Sequence, residues 1–338
     1  MKKVSVIIPC RNEEKHIKGC IEAVLQSDYG IANMEVIVVD GMSDDSSREV
    51  IQEAASRNPA VKMVDNPGKL TPLAFNLGII NSTGEYVVIV GSRLYIDPDY
   101  ISRCVQILES NPQIGCVGGK INNVYENPTS KVIAGAMASS FGVGAGNFRQ
   151  MKEDGFTDTV PTPGYRKNIF EEIGLFDEAL VRNQDDELNY RVLKKGYKIF
   201  FTVKTGMRYF VRASYRNLYR QYFQYGYWKV YVNRKHKTIT TIRQLMPAIF
   251  VCGVITGLLL ATLNRYFLAG YLSVLVLYFL LAFISAFNNT EEKKDTFKVV
   301  FSYLILHVSY GSGYLKGILH FLLLRRKMGS EQNKTLSR

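Results

Sequence analysis

The sequence predicts an α/β protein built on a doubly wound parallel sheet and followed by a C-terminal transmembrane helical region. Three apolar runs predict the sheet. VSVIIP ends before Cys10-Arg11-Asn12-Glu13-Glu14, VIVVD before Gly41-Met42-Ser43-Asp44-Asp45, and EYVVIV before Gly91-Ser92-Arg93. β-Branched runs of this kind read as strands buried on both faces, and the stretches between them read as helices. Such a sheet binds ligands at its carboxyl edge, where all three polar clusters fall.

Charge predicts the second part. Residues 1–200 hold 22 Lys/Arg against 26 Asp/Glu, and residues 201–338 hold 20 against 4. No acid occurs between Glu187 and Glu291, a stretch mixing cations with aromatic residues. That mixture alone would suit nucleic acid, but Met246–Leu263 and Tyr266–Phe287 are charge-free and separated only by Asn264-Arg265. Each approaches the ~20 residues that span hydrocarbon, so they read as a transmembrane hairpin, with a buried soluble helix pair as the alternative. A nucleic-acid binder does not explain them. Arg234, Lys235, Lys237 and Arg243 before the hairpin, and Lys293, Lys294 and Lys298 after it, predict a cytoplasmic location for residues 1–240 in an inner-membrane, multi-pass protein.

Val299–Leu324 is apolar but carries His307, Gly311, Gly313, Lys316 and His320. It reads either as a third span or as a re-entrant or interfacial helix pair bent near Gly311-Ser312-Gly313. The tail from Gly329 reads as polar and disordered. Five cysteines show no CxxC pair and no metal-ligand spacing, as reduced cytosolic thiols would. The first apolar run stops at Arg11, too short for a signal peptide.

In chain order, Ile17, Ile21, Val24 and Leu25 predict a helix over Glu13–Ser27 packed on the sheet. Glu13 and Glu14 at its start are also ordinary dipole partners. Asp40 closes the second strand and faces the crevice, where a carboxylate can bond a ribose or a base N–H. Asp44 reads as the N-cap of a helix from about Ser46 to Arg57. Lys69 precedes the helix Leu73–Ile80 and is placed either to neutralise a diphosphate or as a solvated surface cation. Further on, Leu188, Val192 and Leu193 anchor a helix starting near Asp186, with Asp185 at or just before its first turn. Acids there serve capping or, equally, proton abstraction from an acceptor hydroxyl.

Taken together, IIPCRNEE, VIVVDGMSDDSS, NLGIINSTGEYVVIV, PDY, FGVGAGNFR, GYRKNIFEEIGLFDE and NQDDELNYR resemble family 2 inverting glycosyltransferases of the GT-A fold, in particular membrane-attached exopolysaccharide enzymes of the succinoglycan-biosynthesis type. The resemblance covers roughly residues 3–235. It implies a nucleoside-diphosphate sugar over the sheet edge, with Pro9, Arg11 and Glu13 lining the nucleoside pocket, Asp40 holding base or ribose, and Lys69 near the diphosphate. Asn76 and Gly78 match a helix segment of the family, in a site or a packing role. The resemblance further puts Gly164, Tyr165 and Arg166 at the sugar and acceptor site, makes Asp185 the general base and sets Glu187 beside it. The acceptor implied is a lipid-linked or membrane-proximal glycan, with membrane lipid around the hairpin and no nucleic acid.

These readings together divide the chain into a GT-A domain at 1–212, a basic and aromatic interfacial helix at 213–243 whose Trp228 is expected at the acceptor pocket, a transmembrane hairpin at 244–288, a third membrane or re-entrant segment at 289–328, and the polar tail at 329–338. Gln221, Gln224 and Trp228 depart from the Gln-x-x-Arg-Trp spacing of processive synthases, which argues for addition of one sugar.

Two departures stand out. Gln184 replaces the Glu that precedes the base in the family, which removes a charge and lowers the Asp185 pKa relative to the family pattern. At the third strand end the family has Asp-x-Asp or Asp-x-His for a divalent cation, Mg or Mn. This chain has Gly91-Ser92-Arg93, none of them a good ligand for a hard metal. Asp97-Pro98-Asp99 follows as an alternative motif or as a helix start. Ser92 and Arg93 are then expected at the donor, with Arg93 supplying the cation's charge. A catalytically weak or inactive relative, acting as a binding or assembly subunit, is the competing reading.

Overall fold

A computed structural model describes residues 1–125, 127–144, 148–211, 214–290 and 292–326. The polar tail at 329–338 and the centre of FGVGAGNFR lie outside the described residues. The chain divides into two compact units, one of Met1–Val124 with Asn147–Phe210 and one of Tyr125–Gly146 with Val211–Arg338.

The first unit is a mixed sheet. Its strands are β1 (Val4–Cys10), β2 (Met34–Asp40), β3 (Val61–Asp65), β4 (Tyr86–Ile89), β5 (Leu94–Ile96), β6 (Ile114–Tyr125), β7 (Gly155–Thr157), β8 (Gly164–Arg166) and β9 (Lys198–Val211). The order is β3-β2-β1-β4-β8-β6-β9-β5, with β7 beside β9. The first four are parallel, and from β8 onward the recorded pairings are antiparallel. The parallel half is therefore the expected doubly wound sheet, and an antiparallel half extends it.

Side chains alternate between two cores, as strands covered on both faces require. Val4, Val6, Ile8, Val36 and Val38 pack on one face, while Ile7, Ile37 and Val39 pack on the other. The first face is covered by α1 (Ile17–Leu25), α2 (Ser47–Arg57) and α4 (Tyr100–Ser110). The second is covered by α3 (Thr71–Ile80), α7 (Ile169–Ile173) and α8 (Gln184–Lys194). Gly78 of α3 allows contact with β1, since a Cβ there would lie 2.3 Å from Ile7 Cγ2. Asn76 is likewise a packing residue: its amide donates to Phe176 O at 3.0 Å and accepts from Phe176 N at 2.9 Å.

At the amino edge, buried Glu35 ties three parallel strands together. It accepts from Ser5 Oγ at 2.7 Å, Thr83 N at 2.6 Å, Thr83 Oγ1 at 2.8 Å and Lys62 Nζ at 3.1 Å. Burial alone pushes such a carboxyl up, but these bonds outweigh it and hold Glu35 down at about 2.

The second unit contains α5 (Pro128–Ala138), α6 (Ser140–Val143), α9 (Tyr215–His236), α10 (Met246–Ala261), α11 (Arg265–Asn289) and α12 (Thr296–Gly317), which continues as a π-helical turn over Ile318–Leu323. The stretches ending in α10 and α11 are long and apolar enough to cross a membrane. Leu258, Leu259, Val274 and Val276 are more than half exposed, so these helices are not covered as the core of a soluble domain would be.

The bend expected near Gly311-Ser312-Gly313 is absent, because α12 runs unbroken through it. The glycines serve close approach instead: a Cβ on Gly313 would lie 2.0 Å from Phe223 O of α9, and one on Gly311 would lie 2.2 Å from Pro247 O of α10. Gly226 of α9 is reciprocal, 2.0 Å by the same measure from Tyr310 O. This is the small-residue contact that lets helix backbones touch. The middle of α9, Gly226–Val232, is consequently buried and not at a surface, while Arg216, Arg220 and Lys235 near its ends are exposed. His307 of α12 fastens α6 and α11. Phe141 O can only accept, so Nε2 donates to it at 2.8 Å, and Nδ1 accepts from Tyr278 Oη at 2.9 Å.

Candidate active site

The carboxyl edge of the parallel half brings together most of the expected donor residues. In register, Cys10 of β1 lies beside Asp40 of β2, and Asp40 lies beside Asp65 of β3. β4 pairs with the opposite side of β1, so the strand order reverses between β1 and β4. That reversal is a topological switch point, the place where open α/β sheets leave a crevice outside their carboxyl ends.

The two loops leaving β1 and β2 are joined by reciprocal bonds. Asn12, in the left-handed region at φ +55°, donates through Nδ2 to Asp44 Oδ1 at 2.6 Å, and Asp44 N donates back to Asn12 Oδ1 at 3.1 Å. Glu14 N donates to Asp45 Oδ2 and Ser46 N to Glu14 Oε2, both at 3.2 Å. Asp44 thus binds the neighbouring loop, and Ser46 takes the N-cap position of α2. Glu13 N donates to Ser47 Oγ at 2.8 Å, leaving its carboxylate for another partner.

That partner is Arg93. The guanidinium reaches from the β4–β5 turn and donates through Nε to Glu13 Oε2 at 2.7 Å, with the two side chains 19% and 12% exposed. A bond from Leu94 N to Gly91 O at 2.8 Å closes the turn that carries Arg93 and the buried Ser92. Pro9 and Arg11 lie at the end of β1 and just beyond it. Arg11 lays its stem over Gly41, where a Cβ would meet Arg11 Cδ at 3.1 Å. Lys69 is exposed in a left-handed turn, φ +60°, two residues before α3.

Asp40 is fully buried and both its oxygens are engaged. Ser43 Oγ donates to Oδ1 at 2.5 Å, while Ser43 N and Arg48 Nη1 donate to Oδ2 at 3.1 and 2.5 Å. Arg48 also donates to Asp65 Oδ1 at 2.9 Å. Bonds to Asp65 and Asp40 push the Arg48 guanidinium further up, keeping it charged. Arg48 and Asp65 escaped the sequence reading: Asp65 ends a short strand that alternates with charged residues, and Arg48 lies inside a helix.

The second centre is α8. Asn183 is left-handed, φ +62°, and caps the helix so that Gln184, Asp185 and Asp186 form its first turn. Asp185 is exposed at this turn, and desolvation by the surrounding protein, with the Asp186 charge beside it, raises its carboxyl above its ordinary value, while uncharged Gln184 brings no further like charge. Glu187 points the other way, fully buried and paired with Arg191.

β8 places Gly164 between β4 and β6 in the sheet. The Tyr165 ring lies in the core, 5.2 Å from that of Phe170, and Arg166 donates to Leu108 O at the end of α4. Trp228 belongs to the second unit, where it is fully buried with its ring 5.9 Å from that of Phe321.

The turn after β4, Gly91-Ser92-Arg93, offers a divalent cation no carboxylate. No group of three His, Cys, Asp or Glu side chains suited to a metal occurs among the described residues. Asp99 of the alternative motif is the N-cap residue of α4 and accepts from Thr205 Oγ1 at 2.6 Å.

Known proteins align with this arrangement. The model of Glycosyl transferase family 2 matches residues 5–174. A dolichyl N-acetyl-alpha-D-glucosaminyl phosphate 3-beta-D-2,3-diacetamido-2,3-dideoxy-beta-D-glucuronosyltransferase of Methanococcus voltae is 32% identical over 70% of this chain and 75% of its own. The succinoglycan biosynthesis protein ExoA of Rhizobium meliloti is 30% identical over 77% and 78%. Among solved structures, a mannosyltransferase of Pyrobaculum calidifontis in complex with GDP-Man and Mn2+ superposes with a TM-score of 0.66, covering 94% of this chain and 87% of its own at 17% identity. That likeness speaks to the GT-A fold.

Proposed function

The chain belongs to glycosyl transferase family 2, and from that premise we propose that it moves one sugar, with inversion, from a nucleoside-diphosphate donor to a lipid-linked or membrane-proximal glycan acceptor. It is a glycosyltransferase, and the relative named for succinoglycan biosynthesis supports a part in polysaccharide synthesis. The dolichyl phosphate in the first relative's name supports a lipid-linked acceptor, and the two long apolar helices support attachment to a membrane. The cations flanking those helices favour a cytoplasmic location for the sheet unit.

In this reading the nucleoside lies over Pro9 and Arg11 at the switch point, with Ser92 and Lys69 toward the diphosphate, while Asp40, expected to bond base or ribose, is buried and instead holds Ser43 and Arg48. The acceptor oxygen bonds to the anomeric carbon as the bond from that carbon to the diphosphate breaks on the opposite face. The hydroxyl proton passes to Asp185, and the nucleoside diphosphate leaves with the bonding pair. Gly164, Tyr165, Arg166 and Glu187 support the walls of this site.

Asp185 is the observation that carries the reading, an accessible carboxyl held above the ordinary range at a helix start. Membranes containing the wild-type chain, supplied with a panel of radiolabelled nucleotide sugars, should label a lipid-extractable product, and Asp185→Asn should reduce it by about a hundredfold or more. Blank rates from both proteins would leave the binding-subunit reading in its place, and equal labelling by both would remove Asp185 from the role of base.

A further inference from the structure

We propose that the Glu13–Arg93 pair replaces a divalent cation at the donor diphosphate, so that nucleotide binding by this chain needs no metal. The inference rests on the transferase reading and deepens it. Three observations carry it.

The first is position. Glu13 follows β1 and Arg93 follows β4, the two strands that flank the switch point, so their contact lies at the crevice itself. The second is the state of the acids. Asp40 is saturated by Ser43 and Arg48, Glu14, Asp44 and Asp45 bind the facing loop, and Asp99 holds Thr205. Glu13 itself is held by Arg93, so a metal there would have to displace a charge-assisted bond 2.7 Å long.

The third is the form of the guanidinium. Nε is spent on Glu13, while the two Nη nitrogens make no hydrogen bond among the described residues. The carboxylate thus fixes the plane of the fork and leaves its outer donors for an anion. A planar cation oriented in this way suits two oxygens of a diphosphate, and it is permanently charged. It gives the leaving group the same sign of charge that a metal would, without a ligand set.

The test is isothermal titration of the full-length, detergent-solubilised protein with UDP and with GDP, in EDTA and in MnCl2. The inference expects the nucleotide that binds to do so within about twofold in the two buffers. Because a hydrogen bond to a charged group contributes about 1.5–3 kcal/mol, Arg93→Ala should weaken binding by roughly ten- to a hundredfold, with Arg93→Lys between it and wild type. Unchanged thermal unfolding of both variants in the absence of nucleotide separates lost binding from lost fold. Binding abolished by EDTA and restored by MnCl2, or Arg93→Ala binding like wild type, overturns this inference and leaves the transferase reading intact. Failure of wild type to bind either nucleotide in either buffer overturns both.

Discussion

Arg191 grips Glu187 across one helical turn: Nη2 to Oε2 is 2.7 Å, and Nε lies 3.0 and 3.1 Å from the two carboxylate oxygens. The same guanidinium donates to the carbonyls of Gly174 at 3.0 Å and Leu175 at 2.8 Å, so one buried carboxylate orients a cation that ties the end of α7 to α8. Asp185 is two residues before Glu187 on the same helix, and its position depends on that tie.

Glu187→Gln should therefore destabilise the sheet unit by about 3–5 kcal/mol, because it leaves a largely buried guanidinium without its counter-charge. Denaturant unfolding measures the loss. A conservative exposed change such as Lys194→Arg on the same helix should stay within about 0.5 kcal/mol.

Acid sensitivity should trace to the opposite edge of the sheet. Glu35 titrates at about 2 in the folded chain and near the ordinary 4.5 when unfolded. Its stabilisation is fully present above that unfolded value and fades as pH falls from there toward 2. The shift corresponds to about 3 kcal/mol. Glu35→Gln should remove this contribution at neutral pH and flatten stability between pH 5 and 2, roughly the interval that the linkage spans, as followed by urea unfolding.

The pH profile of transfer should report Asp185. A base must be unprotonated to accept the acceptor's proton, so kcat/KM should fall on the acid side with a midpoint above the ordinary carboxylate range. Asp186→Asn removes the like charge beside it and should move that midpoint downward. A profile unchanged by Asp186→Asn would remove that charge from the account.

Glycines in the helical unit should divide sharply. Gly226→Ala and Gly313→Ala each place a methyl about 2.0 Å from a carbonyl of the facing helix, which forces the backbones apart. Thermal unfolding in detergent should show losses of about 2 kcal/mol or more for each. Gly253→Ala and Gly270→Ala meet nothing within 4 Å and should be neutral or mildly stabilising.

The sequence made some of this legible because the signals were local. Strands β1, β2 and β4 are continuous apolar runs buried on both faces, and α10 and α11 are charge-free, so composition alone locates them. Strand β3, VKMVD, escaped notice because its lysine and aspartate break the run at the sheet's edge. The unbroken course of α12 was hidden for another reason. Glycine reads as a breaker in isolation, and only the facing backbone reveals that it permits contact. At the donor edge the residue types were evident, but their pairings were not: Glu13 with Arg93 spans 80 positions, and no periodic pattern records such a contact. The assignment of residues 125–146 to the helical unit is equally non-local.

The thiols carry an experimental convenience. Cys10, Cys20, Cys104 and Cys116 are buried in the sheet unit, and burial, aided for Cys10 by Asp40, pushes that thiol up to about 12. At neutral pH these four are protonated and shielded, so alkylating reagents should pass them by. Cys252 on α10 is exposed. Unmutated protein therefore offers a single attachment point for a dye or spin label, on a helix long enough to cross a bilayer. Comparing a lipid-soluble with a water-soluble maleimide at that one atom tests whether it lies within a bilayer.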